Sequence, residues 1–227
     1  MKNSRLYSFS ARIRRHFYLH ITSGHMLRHI PELMDEGSPV SVLFREEAGD
    51  CSSLLFCEMI QRARYGDSFI IEKQGCSVGA YVLGEIETAP LDYYHSSGRY
   101  MDREAAGRAA ASLCRLSRRP TSIKIAPYSG DDFDVLVLFL KPDKAMRLVQ
   151  AFTYQDGRFP ELRTGGIASI CSDCTAYPAN GRLGLSLGCK GSRKHSKYRD
   201  EELPVGIPFQ FAERIESALG KIPAIMA

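Results

Sequence analysis

No apolar run in the chain approaches the ~20 residues that a membrane span needs. The N-terminal stretch also lacks the uninterrupted apolar core of a signal peptide, so the expected compartment is the cytoplasm. No polar or low-complexity tract is long enough to suggest disorder. Charge of one sign is in small excess only, +4 with 30 Lys and Arg against 26 Asp and Glu, well short of a dedicated nucleic-acid binder. The nucleotide and hydrolase signatures are missing too. There is no GxxxxGK[ST], no strand followed by GxGxxG and a helix, no GxSxG and no HExxH.

What is present is an apolar fraction of 44% over 227 residues, ordinary for a chain that folds around one core. We read residues 1–227 as a single domain of α/β or α+β class, one mixed sheet of about five strands covered by helices. Residues 1–36 form an N-terminal helical arm, with Arg12, Arg14 and Arg15 among His16, Phe17 and Tyr18, followed by a helix over 24–36 that Gly37-Ser38-Pro39 ends. The next expected elements are a strand over 40–44, a helix capped by Asp50 or Ser52 and running to Arg64, and a strand over 69–71. An Ala-rich helix follows over 102–117, barred by Pro120. Ile123–Ala126 and Val135–Leu140 read as strands, the second so uniformly apolar that it is expected to be covered on both faces. Pro142 opens a helix that ends near Gly157, and a last helix spans 208–219. The remaining third is glycine-rich, with a strand expected over 183–187 and loops on either side.

Seven cysteines, an odd number at irregular spacing in a chain with no secretory signal, argue for free thiols or metal ligands rather than a disulfide framework. Only Cys171-Ser172-Asp173-Cys174 has a ligand-type interval, and a single CxxC is ambiguous. Free cysteines are also commonly small buried hydrophobes. A second constellation, Gly188-Cys189-Lys190-Gly191-Ser192-Arg193-Lys194-His195, combines glycines with cations. It could bind a small anionic ligand through Lys190, Gly191 and Arg193, or could be a solvated basic loop. Its cations would favour the Cys189 thiolate, with His195 as a base if the segment folds back. His25 and His29, four apart, have no third ligand in view.

Several strings together resemble the family called domain of unknown function 169 (ArCR). They are Cys57-Glu58 through Ala63-Arg64-Tyr65-Gly66, Cys76-Ser77-Val78-Gly79-Ala80 with Leu83-Gly84, Ala126-Pro127, Pro142-Asp143-Lys144-Ala145-Met146, Cys171, and Leu187-Gly188-Cys189-Lys190-Gly191-Ser192-Arg193. Glu202-Leu203 and Gly206-Ile207-Pro208 complete the set. The likeness runs over about 40–219 and marks that stretch as the core. The resemblance implies an uncharacterised protein of archaea and anaerobic bacteria, with its cysteine positions at Cys57, Cys76, Cys171 and Cys189; Cys51, Cys114 and Cys174 are additions of this chain. Four thiolates from separate segments can hold an iron–sulfur cluster or a zinc ion. The expectation is a metal- or iron–sulfur-binding protein of anaerobic metabolism, with Cys174 as a substitute ligand. The alternative is a small anionic-ligand module or enzyme whose cysteines are structural. Neither the reaction nor the oligomeric state can be read from the sequence.

Overall fold

A computed structural model describes residues 26–223; the basic N-terminal arm at 12–18 and His25 lie outside the described residues. Its centre is β5 (Val135–Leu140), where Val135, Val137 and Phe139 face one core and Leu136, Leu138 and Leu140 face the other. Side chains alternate across a strand, so six buried apolar residues in a row require cover on both faces, as expected from the sequence. Around β5 lies one mixed sheet in the order β2-β3-β4-β1-β5-β7-β6. The other strands are β1 (Val40–Arg45), β2 (Asp50–Cys51), β3 (Phe69–Lys73), β4 (Ser122–Pro127), β6 (Gly184–Leu185) and β7 (Leu203–Pro208). Only the β2–β3 pairing is parallel. Seven strands replace the expected five because two are two-residue edge strands; the single-domain α+β architecture stands.

Against one face pack α1 (Phe56–Arg64), α2 (Ser77–Val82), α3 (Leu91–Ser96), α4 (Arg103–Ala111) and a π-helical segment, Ser169–Ala176. The other face is covered by α5 (Pro142–Thr153) and by α7 (Phe209–Leu219), which follows α6 (Lys190–Ser196).

Several sequence expectations are corrected by tertiary hydrogen bonding. The helix expected over 24–36 is, from Met26 onward, irregular chain with one 3-10 turn at Pro31–Leu33. Pro31 has no N–H to give. The N–H groups of Arg28, His29 and Ile30 all donate to the Glu216 carboxylate on α7 instead of to a helix. The helix expected from Asp50 or Ser52 begins only at Phe56, because Asp50–Cys51 pair with β3 and the Ser52 N–H donates to the Lys73 carbonyl. The Ala-rich helix stops at Ala111 rather than Ser117; beyond it the Ser172 hydroxyl takes both the N–H and the carbonyl of Cys114. The strand expected over 183–187 shrinks to β6, and the basic segment after Cys189 is helix α6 rather than a loop. The CxxC sits in the π-helix, not in glycine-rich loop.

That π-helix is seated by two glycines. Gly184 and Gly206 are register partners on β6 and β7. A Cβ on Gly184 would stand 2.1 Å from the Asp173 carbonyl oxygen, and one on Gly206 would stand 2.1 Å from that of Cys174. Only glycine allows a helix backbone to rest directly on a sheet backbone in this way.

Candidate functional site: a cavity lined by four cysteines

Cys57, Cys76, Cys171 and Cys189 come from four separate segments and line one cavity of about 60 Å³. Cys57 lies in the first turn of α1, and Cys76 and Cys189 are the N-caps of α2 and α6. Cys171 is carried by the π-helix, entered through Ala168 at φ 49°, a left-handed conformation unusual for a residue with a Cβ. Local strain of this kind is found where surrounding contacts fix the backbone, and Ala168 itself lines the cavity.

Specific hydrogen bonds anchor three of these residues, Cys57, Cys76 and Cys189. Gln74, buried, accepts from the N–H of Cys76 (2.8 Å) and of Phe56 (3.4 Å) through Oε1, and its Nε2 donates to the Cys76 carbonyl (2.7 Å). One amide side chain thereby joins the start of α1 to the start of α2. The Ser196 hydroxyl on α6 donates to the Cys57 carbonyl (2.6 Å), which fixes α6 against α1. Cys189 Sγ accepts from the Ser192 N–H (3.3 Å), and the Ser192 hydroxyl is within 3.0 Å of that of Tyr198.

Burial pushes the Cys57 thiol up to about 12, and the neighbouring charges of Cys189 and Cys76 add to the rise. Cys171 is raised well above the usual thiol range by burial, then by Cys189, Cys76 and Cys57. Charge on Cys189 or Cys76 therefore opposes the ionisation of Cys57 and Cys171, which as free groups are neutral.

Two buried hydroxyls in the lining, Tyr94 Oη and Ser169 Oγ, have no hydrogen-bond partner among the described residues; their residues are 1% and 0% exposed. Orphaned buried polar atoms of this kind are few in folded proteins. Tyr94 lies near enough to feel the charges of Cys171 and Cys189, which, after burial, raise its phenol. At the rim Arg99 stacks over Tyr93, 5.5 Å from the ring centroid, and donates to its hydroxyl. Among the described residues no group of three or more His, Cys, Asp or Glu side chains is gathered tightly enough to chelate a single ion. The four cysteines ring a cavity instead.

The other sequence candidates part company with this set. Cys174, three residues from Cys171, points to β7 and donates to the Pro204 carbonyl (3.2 Å), so the CxxC does not supply two thiols to one place. Cys51 is exposed on β2, and Cys114 borders a different cavity. Gly191 lines the cysteine cavity. The Arg193 guanidinium is committed to main-chain carbonyls of Leu187, Arg199, Asp200 and Glu202 and stacks on Tyr198. Lys190 opens α6. His195 lies in an outward hollow with Arg62, Lys194 and Lys197. His29 faces Glu32 at 3.4 Å.

Gln74, Tyr94 and Ser169 were not singled out in the sequence. Gln74 stands two residues before Cys76, which was a local cue; the two hydroxyls had none.

In comparisons with known proteins, the family described as Uncharacterised ArCR, domain of unknown function 169, matches residues 32–218. An uncharacterized protein of Methanocaldococcus jannaschii is 31% identical over 174 residues, 72% of this chain and 75% of that protein. No solved structure matches.

Proposed function

We propose that this chain, which belongs to the uncharacterised ArCR family, is a metal-binding protein in which Cys57, Cys76, Cys171 and Cys189 hold an iron–sulfur cluster. The observation that carries the reading is a four-cysteine cavity whose remaining polar lining consists partly of two hydroxyls that find no acceptor among the described residues. A cluster presents sulfide and thiolate sulfurs as acceptors on several sides, and hydrogen bonds to those sulfurs are a main control on its properties. Tyr94 Oη and Ser169 Oγ are the donors for that role.

The size of the space favours a group of several atoms. About 60 Å³ is well above the ~10–15 Å³ that a single water requires. Cysteines that surround a space rather than meet at a point suit a cluster better than a lone zinc ion, whose four sulfurs sit ~2.3 Å from one centre. Zinc held by the same four residues is the second reading, and needs the side chains to close inward. When bound, a cluster supplies one-electron transfer; the chain's part is to exclude water through Phe56, Val78 and Ile170 and to set hydrogen bonds around the sulfurs. Because Cys57 and Cys171 are neutral as free thiols, loading releases protons and weakens as pH falls.

The test is purification of the full chain without oxygen, followed by iron, sulfide and zinc analysis and visible absorption. A brown protein with iron and sulfide that loses both in Cys171→Ser and keeps them in Cys51→Ser and Cys174→Ser supports the reading. Zinc at one per chain with the same mutational pattern transfers it to the zinc form. A colourless, folded protein free of both metals sinks it.

A further inference from the structure

A second and larger cavity, of about 480 Å³, takes part of its lining from the same stretch of chain as the cysteine cavity. Ala168 to Cys171 face the cysteines while Ile167, Ser172 and Asp173 face the second cavity, and Arg99 lines the first while its neighbour Tyr100 lines the second. A volume of this size is that of a small-molecule site, typically ~300–1,000 Å³.

The outer wall is an irregular stretch between α5 and the π-helix, and it is pinned at several points. The Tyr177 hydroxyl donates to the Glu161 carbonyl (2.9 Å), Arg163 Nη2 donates to the Ser112 carbonyl (3.0 Å), and the Leu187 N–H donates to Thr164 Oγ1 (3.3 Å). An exposed connection pinned in this manner is how scaffolds present binding residues. The lining is chemically divided. Leu113, Leu162 and Ile167 are apolar, and among the described residues Arg163 is the one cationic side chain in the lining. The Arg163 side chain is exposed, yet its charge acts on Asp173, Cys114 and Tyr177 alike, so the guanidinium lies close to these groups at the mouth of the cavity. The Asp173 carboxylate already has a donor in the Ser186 hydroxyl (2.7 Å).

We propose that this cavity binds a small organic carboxylate, its anionic end paired with the Arg163 guanidinium and its apolar part lying against Leu113, Leu162 and Ile167. A planar guanidinium matches a carboxylate with two parallel hydrogen bonds, and the apolar wall gives an organic acid an advantage that an inorganic anion lacks. The site does not rest on the metal reading, and either can fail alone.

The full-length protein is titrated by calorimetry and thermal shift with acetate, pyruvate, succinate and benzoate, and in parallel with inorganic phosphate and ethylamine. The expected result is saturable binding of at least one organic carboxylate. Its affinity falls about tenfold or more in Arg163→Gln, as loss of a charged hydrogen bond implies, and is partly kept in Arg163→Lys. Leu162→Ser weakens it as well, while the melting temperature without ligand and the metal content stay as in the parent. Binding of none of the carboxylates, binding that Arg163→Gln leaves unchanged, or a preference for phosphate or the amine overturns the proposal.

Discussion

The Arg64 guanidinium and the Glu202 carboxylate form a two-pronged ion pair, Nη1 to Oε2 at 3.0 Å and Nη2 to Oε1 at 2.5 Å, with side chains 1% and 4% exposed. Arg64 also donates to the Glu36 carbonyl and lies 4.9 Å over the Phe139 ring, and Glu202 accepts from the Arg199 N–H. Arg64 ends the helix that begins beside Cys57, and Glu202 ends the turn that follows the helix capped by Cys189. The pair therefore ties the far end of α1 to the turn that follows α6. Glu202→Ala strands a buried cation and is expected to cost about 3–5 kcal/mol in urea unfolding. A loss under about 1 kcal/mol, the range of exposed pairs, would show that the contact is dispensable.

Gln74 is the second support. In Gln74→Leu the N–H and carbonyl of Cys76 lose their side-chain partners, at an expected cost of about 1–3 kcal/mol. Gly79→Ala acts in the same direction, since its Cβ would stand 2.7 Å from Gln74 Nε2. On the metal reading both variants retain less metal although no sulfur is changed. Unfolding curves and metal analysis on the same preparations check this.

Asp173 sets a pH dependence. Burial raises its carboxyl from 3.8 to about 7, against the opposing hydrogen bonds from Ser186 and Thr164. Between those values the folded chain keeps a proton that the unfolded chain has released, so stability falls as pH rises through this window and levels off above it. From about pH 5 to about pH 8 the parent should lose roughly 2–3 kcal/mol more than Asp173→Asn. Equal slopes for the two proteins would refute this.

Thiol reactivity should be graded in the metal-free chain. Cys51 is exposed, whereas Cys171 and Cys174 are buried and raised well above the ordinary thiol value. Cys57, moved from 9.0 to about 12, has a thiolate population roughly a thousandfold below that of an unshifted thiol. Iodoacetamide followed by peptide mass spectrometry is expected to find Cys51 modified first and Cys57, Cys171 and Cys174 last. Early modification of Cys171 would contradict the burial.

Local pattern accounts for the elements that were legible. β5 was readable because six consecutive apolar residues have few other uses, and α5 because Pro142 fits a first helical turn. The failures have a common cause. The segment before Gly37 has helical spacing of apolar residues, yet its N–H groups are drawn to Glu216, 186 to 188 residues away. The π-helix depends on a left-handed Ala168 and on the close seat provided by Gly184 and Gly206, neither of which leaves a periodic trace. The glycines of this region were visible as a cluster, but as loop formers; their use is to let two backbones touch.

By itself the sequence narrowed the class to α/β or α+β and indicated the strand buried on both faces and, through its family resemblance, the four cysteine positions to watch. Tertiary structure decided which thiols border one cavity. Cys171 and Cys174 are three residues apart and face different surroundings, while Cys57 and Cys189 are 132 positions apart and border one cavity. Convergence of that kind is set by helix starts held by Gln74 and Ser196, and by the Arg64–Glu202 pair at the far end of α1. Each of these is a contact between segments distant in the fold's connectivity or closed by a side chain, so spacing along the chain carries no record of it.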